Sequence, residues 1–300
     1  MMGGAAGLSL SRSMFGQNGP ITATKLTATS LTDTFVEITG AGANVLVVMG
    51  PDGLLMVNGG LPERSAELLK VVSGLSQENH VRVLFNTDWH PENTGSNETL
   101  KKAGAKIVAH ENTRLWLGAE IDESWQKRTF QPRPKEALPT DTFYTSGKMF
   151  FGKEPVEYAL MPQAHTDGDI YVFFPGPNIL MAGDVVAPGT YPVLDYTTGG
   201  WISGMVDAQK TLLQIANANT RIIAGTGPVM TRADLQSYNE TIATIRDRLL
   251  KLMKQGLGPK EMVAAKPLKD FDEKWGNSEQ FILNAYRGLW GHVRELGGIV

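Results

Sequence analysis

Residues 81–97 read VRVLFNTDWHPENTGSN. The first positions form a mostly apolar run of strand length. A loop dense in acids and amides around a single histidine follows, and residues 98–103 then have the character of a helix. A strand that runs into a polar loop and then a helix is where α/β proteins place their chemistry. Fold class and candidate site are therefore read from the same stretch.

Working outward, short apolar runs begin at Ile21, Phe35, Asn44 and Leu54, punctuated by Gly40, Gly42 and the turn PDG at Pro51. This spacing predicts a β-meander. Residues 62–75 carry a helix face made by Ala66, Leu68, Leu69, Val71 and Val72. Downstream the style repeats, with strands expected at KIVAH, KMFF, VEYALM, IYVFF, NILMA and RIIA, so two sheets are implied. A helix is expected over 205–215. Leu235, Tyr238, Ile242, Ile245, Leu249 and Leu252 recur at helical steps and mark one face of a long amphipathic helix, a core stripe. Residues 255–272 read as a connector, and a last helix is expected over 280–296.

With 300 residues, 42% hydrophobic and 20% charged, the chain has the composition of globular protein. The formal charge of -3 provides no broad basic surface, which argues against nucleic acid or an anionic membrane as partner and for a small molecule or another protein. No cysteine is present, so disulfides and thiolate ligands are excluded and any transition metal must be held by His, Asp, Glu or weaker oxygen donors. Residues 1–20 are read as a loose segment resembling the tail of an export signal, without the basic region and full apolar stretch of an intact one. The remainder, 21–300, is read as one domain.

Four expected strand ends carry polar clusters: DWHPEN at Asp88, QAHTDGD at Gln163, AGD at Ala182 and AGTG at Ala224. Together with the flanking words MVNGGLPERSAELL, HTDGDIYVFFP, LMAGDVV and RIIAGTGPV, their order and spacing resemble the metallo-β-lactamase superfamily over nearly the whole chain. That family carries H-x-H-x-D-H after a strand, a lone His after a later strand, an Asp in a G-D pair and a final His in a G-H-G turn. The resemblance implies a four-layer αββα sandwich of the α/β class. It also suggests exported or periplasmic relatives.

Carried over residue by residue, the resemblance places Asp88, His90 and His165 on the first metal position and Glu92, Asn93, Asp184 and Thr226 on the second. Asp184 stands where the family has its bridging ligand, and Asn58 stands where it usually has a supporting Asp. The chain contains five histidines, and His80, His110 and His292 lie outside the motifs, where surface or helix-end roles suit them. The usual two-ion clamp therefore cannot be assembled in its usual form. Two imidazoles and a carboxylate suit one divalent ion, zinc first, and iron or manganese where geometry allows.

Alternatives stand beside each reading. His90 is either a ligand or a ring capping its loop beside Trp89. Asp184 is either a ligand or a loop carboxylate accepting backbone N–H bonds. Asn93 and Thr226 read as neutral hydrogen-bonding replacements. Asp88 is shorter than the histidine it replaces and has to reach farther. Trp89, Tyr191, Tyr196 and Trp201 are candidates for a substrate wall or, equally, for packing under a helix.

The first functional reading is a hydrolase of an ester, lactone, amide or related bond. In it Asp88, His90 and His165 hold one ion, and Asp184 or Glu92 orients water or takes its proton. The second is a metal-free, non-catalytic relative that binds a ligand or serves as a partner subunit, as a homo-oligomer or beside a paralogue. A third is a lyase, isomerase or iron-dependent enzyme on the same scaffold.

Overall fold

The computed structural model describes residues 25–292; the expected N-terminal segment, residues 21–24 of the first expected strand and the end of the last expected helix lie outside them. The first strand described is β1 (Thr27–Ser30). It is followed by β2 (Phe35–Thr39), β3 (Val45–Gly50) and β4 (Gly53–Val57), which pair antiparallel as the meander predicts. The helix α1 (Ser65–Ser73) then carries the chain across to β5 (Val81–Phe85), which lies parallel to β4. The motif loop and two short helices, α2 (Pro91–Thr94) and α3 (Asn97–Lys102), lead to β6 (Lys106–His110).

Between β6 and the last strand of this sheet lie elements that the sequence reading did not resolve. They are α4 (Glu111–Leu117) and a hairpin of β7 (Ile121–Glu123) and β8 (Arg128–Phe130), before β9 (Asp141–Phe143) closes the sheet beside β6. Three-residue strands carry too little periodicity to be read from sequence. The sheet order is β1-β2-β3-β4-β5-β6-β9.

The second sheet runs β10 (Ser146–Phe151), β11 (Glu154–Leu160), β12 (Ile170–Phe174) and β13 (Ile179–Gly183) antiparallel. After the crossover helix α5 (Ile202–Ile215), β14 (Arg221–Ala224) joins parallel to β13. The long helix α6 (Arg232–Lys254) opens with a capping box in which Thr231 and Asp234 satisfy each other's backbone N–H groups. The expected connector is itself helical, forming α7 (Pro259–Ala264) and α8 (Lys269–Trp275) before α9 (Glu279–Gly291). Pro259 at the first turn of α7 starts a helix rather than preventing one.

Three apolar layers hold the sheets and helices together. Phe35, Leu55, Phe85, Phe174, Ile179 and Ile223 belong to the cluster between the two sheets. Leu68, Val72 and Leu100 pack α1 and α3 onto the outer face of the first sheet. On the second sheet's outer face, Leu212, Leu235, Ile242 and Leu289 bring in α5, α6 and α9. The layers are thus helix, sheet, sheet, helix, the αββα sandwich expected.

Phe174 is fully buried at this central layer and meets the ring of Phe35 edge-on at 5.1 Å. Replacing it by alanine should lower the unfolding free energy by about 3–5 kcal/mol, whereas the same change at Phe150, which is 72% exposed, should cost about 0.5 kcal/mol or less. Urea denaturation of the two variants measures the difference.

Candidate metal centre

The motif loop is closed on itself by the asparagines at its two ends. Asn86 donates to Asn97 Oδ1 at 3.0 Å and Asn97 donates back to Asn86 Oδ1 at 2.9 Å. The remaining amide hydrogens reach the backbone carbonyls of Asn93 and Ala137. Both side chains are fully buried, so this reciprocal pairing satisfies groups that would otherwise be costly and fixes the loop's span. Nothing in the sequence separates these two asparagines from ordinary loop residues.

Inside the clasp, Asn58 adopts a left-handed conformation with φ of 68° that Asn tolerates better than most residues. Its Oδ1 accepts the Thr87 N–H at 3.1 Å and lies 3.0 Å from the Thr87 hydroxyl. Asn58 thereby keeps a supporting role. Asp88 Oδ1 accepts the His90 N–H at 2.8 Å, and its Oδ2 accepts from the Asn93 side chain at 2.7 Å.

The second sheet brings the other groups. Asp169 turns the HTDGD loop inward by accepting the backbone N–H groups of His165 and Thr166 and the Thr166 hydroxyl. His165 is held at its outer nitrogen, where Nδ1–H donates to the Val193 carbonyl at 2.9 Å. Its Nε2 then faces His90 Nδ1 at 3.0 Å, with the two rings 4.4 Å apart. Asp184 follows the bulged end of β13, where Gly183 has φ of 61° and a Cβ would stand 2.8 Å from that of Thr87. At Gly225 a Cβ would come within 1.9 Å of Asp184 Oδ1, so the AGTG turn must carry glycine there for Asp184 to fit. Asn44 ties that turn to the first sheet by donating to the Ala224 and Gly227 carbonyls at 3.1 and 2.9 Å.

His90 is enclosed on all sides. Its ring stacks on Trp89 at 4.1 Å, and its Nε2 faces Asp195 Oδ2 at 3.6 Å, longer than a hydrogen bond. Asp195 also accepts the hydroxyl of Thr198, and that hydroxyl accepts the Trp89 indole N–H at 3.1 Å. Glu123 on β7 is buried beside Asp195. Burial, followed by the hydrogen bond and charge of Asp195, pushes its carboxyl up to about 9, so it carries a proton at neutral pH. The outer nitrogen of His165 is thus hydrogen-bonded to a fixed carbonyl, as a ligating imidazole requires, whereas that of His90 faces Asp195 without a hydrogen bond.

Asp88, His90 and His165 each offer an atom within 4.8 Å of the others. His90 Nδ1 lies 3.0 Å from His165 Nε2 and 3.4 Å from Asp88 Oδ1. Donors bound at ~2.0–2.1 Å in a tetrahedron stand about 3.3 Å apart, so these spacings suit one ion and Asp88 does reach the cluster. The second position fits poorly. The Asn93 amide, which the resemblance sets among its ligands, donates from Nδ2 to Asp88 and to Asp184 Oδ2, each at 2.7 Å. Its hydrogens lie between the two carboxylates, where a second cation's charge would be needed. Glu92 is half-buried, makes no side-chain hydrogen bond among the described residues, and acts on His90 and Asp184 through charge. Thr226 is half-buried in the AGTG turn, next to the glycine that touches Asp184.

Charge is balanced by the same few groups. Burial would favour a neutral His165, but Asp88, Asp184 and Asp169 outweigh it and push the ring up to about 10. Burial opposes the Asp88 charge, yet the hydrogen bond from His90 and the His165 charge hold its carboxyl well below the usual range. Asp184 is pushed up to about 7, first by burial and then by Asp88. These groups form one coupled set.

The expected aromatic wall divides. Trp89 lies against His90. Tyr191 belongs to the helical layer, with its ring stacked on Phe281 at 5.0 Å and its hydroxyl on Asp272 at 2.8 Å, so its aromatic surface is used in packing. Tyr196 opens a short turn after Asp195, and Trp201 is stacked on His292 at 4.1 Å. Among the other histidines, His110 caps α4 and His292 ends α9.

Asn93→Asp should test the charge balance directly. It replaces the shared donor with a third carboxylate, so in chelator the variant should lose about 2–4 kcal/mol of stability. Added divalent cation should restore much of the loss, which denaturant unfolding with and without zinc measures.

The sequence matches the family described as the metallo-beta-lactamase superfamily over residues 38–248. Among solved structures, a metallo-beta-lactamase from Pontibacter korlensis superposes with a TM-score of 0.60 at 19% identity, covering 73% of this chain and 99% of that one. The DIM-1 metallo-beta-lactamase gives 0.59 at 18% identity, covering 74% and 99%. The stereoselective inverting sec-alkylsulfatase Pisa1 from Pseudomonas sp. gives 0.69 at 16% identity; it covers 91% of this chain, which spans 50% of that one. At such identities the structures speak for the fold, and the family match over most of the chain gives the membership. The chain belongs to the metallo-beta-lactamase superfamily.

Proposed function

We propose that this chain is a hydrolase that works with one divalent ion, zinc first, on an ester, lactone, amide or related bond of a small molecule. The observation that carries this reading is the facing pair His90 Nδ1 and His165 Nε2, with Asp88 Oδ1 beside the former and an oxygen atom at the outer nitrogen of each ring. Asp88, His90 and His165 would hold the ion. Such an ion supplies Lewis acidity, polarising the bond to be cleaved and making water more acidic.

The chain's own groups supply the rest. The Val193 carbonyl orients the His165 imidazole, and the Trp89 ring stacked on His90 holds the other, with their inner nitrogens 3.0 Å apart. Asn93 holds Asp184 Oδ2 beside the cluster, 3.9 Å from His165 Nε2. Asp184 and Glu92 are the carboxylates placed to hold or move a proton there. Among the described residues no helix is long and apolar enough to cross a membrane.

Protein purified without chelator should contain about one zinc per chain by elemental analysis. His90→Ala and His165→Ala should each lose the ion and lower kcat/KM against a panel of esters, lactones and amides on the order of 100-fold or more. A metal-free preparation with full turnover would sink this reading.

The Asn93 amide favours a second reading, a metal-free relative that binds a ligand or partner without catalysis, because it satisfies both carboxylates with no cation. In that case calorimetry with zinc shows no binding, and chelator leaves the unfolding midpoint unchanged.

A further inference from the structure

A half-open cleft of about 340 Å³ lies against the back of the motif loop. Trp89, Pro91 and Thr94 of the loop form one wall, Trp116 and Leu117 at the end of α4 another, and the β7–β8 hairpin with residues 131–134 the third. None of Asp88, His90, His165 and Asp184 lines it. The volume is within the ~300–1,000 Å³ range of small-molecule sites.

Its walls have a consistent chemistry. Trp89, Leu117 and Ile121 form a buried cluster against which Trp116 and Phe130 pack, and Phe130 meets Trp89 edge-on at 5.1 Å. The Trp116 indole N–H is tied to Asp167 at 2.7 Å, which fixes that ring. Pro62, Pro91, Pro132 and Pro134 stiffen the rim.

The charge is one-sided. Arg128 and Arg133 line the cleft, and no Asp or Glu does. Arg128 lies over the Phe130 ring at 4.3 Å, and Arg133 is half-buried with its backbone N–H bonded to Leu117 at 2.7 Å. Neither guanidinium donates a hydrogen bond to a described residue; Glu98 feels the charge of Arg133 at a distance. Arg128 beside the Phe130 face and Arg133 on the same lining provide forked donors for a carboxylate or sulfonate.

We propose that this cleft is a second binding site, separate from the metal centre, for a planar aromatic organic anion. The ring lies among Trp89, Trp116 and Phe130, and the anionic group is taken by Arg128 and Arg133. This site stands independently of any hydrolytic activity.

Titration calorimetry of the whole chain with 2-naphthalenesulfonate tests it. Saturable binding of one probe per chain is expected, unchanged by added zinc or chelator. Arg133→Ala should raise Kd about tenfold. Thr129→Glu, which sets a carboxylate on an exposed lining position without touching the core, should do at least as much and does not depend on a core change. The uncharged 2-naphthalenemethanol should bind about tenfold more weakly than the sulfonate. Absence of saturable binding, equal binding by Thr129→Glu, or equal affinity for the uncharged probe overturns the proposal. So does binding that His165→Ala abolishes while the cleft variants retain it, because the anion would then sit at the metal centre.

Discussion

Two carboxylates, the buried Asp88 and the partly buried Asp184, face one amide, and the centre is organised around that conflict. Like charges held close together away from water repel strongly. Here Asn93 gives one hydrogen to each carboxylate and His165 supplies the nearby positive charge. Asn is suited to the task because its amide nitrogen carries two donors at a fixed angle. A histidine at this position would offer one donor in any one direction.

That arrangement depends on parts distant in sequence meeting to within a few tenths of an ångström. Asp88 and His90 come from the end of β5, while His165 precedes β12 and Asp184 follows β13. The central apolar layer fixes the sheets against one another, and close-packed interiors deform little. Asn44 adds a direct link by binding the turn after β14 from the first sheet. Gly183 then removes the atom that would hold Thr87 of the first sheet away, and Gly225 leaves room for Asp184.

Much of this was legible because strand ends in α/β folds carry chemistry and because the four polar clusters kept their order. The meander and the long α6 follow from patterns visible in the chain, and the convergence of Asp88, His90 and His165 from the family resemblance; that KIVAH joins the first sheet as β6, parallel to β5, does not. What escaped was local pairing between unremarkable residues. Asn86 and Asn97 are far more informative as a clasp than as letters. Asp195 and Glu123 had no motif: Asp195 faces His90 from the loop after β13, and Glu123 comes beside Asp195 only through β7, a strand too short to read. For Tyr191 the packing alternative is the one realised: α8 and α9 claim its ring.

Some buried polar atoms at the centre have unmet hydrogen-bonding capacity, as do others elsewhere among the described residues, on Glu37, Glu123 and Trp125. Asn58 Nδ2, His90 Nε2 and Asn93 Oδ1 are all buried without a hydrogen-bond partner, and all belong to one connected network. Folded chains leave few such atoms, because each costs about 1–3 kcal/mol. A chain that had only to preserve its fold could replace these side chains with apolar ones of similar size and lose the penalty. Keeping polar groups here, with Asp195 held 3.6 Å from His90 Nε2, preserves an oriented donor set at a thermodynamic cost.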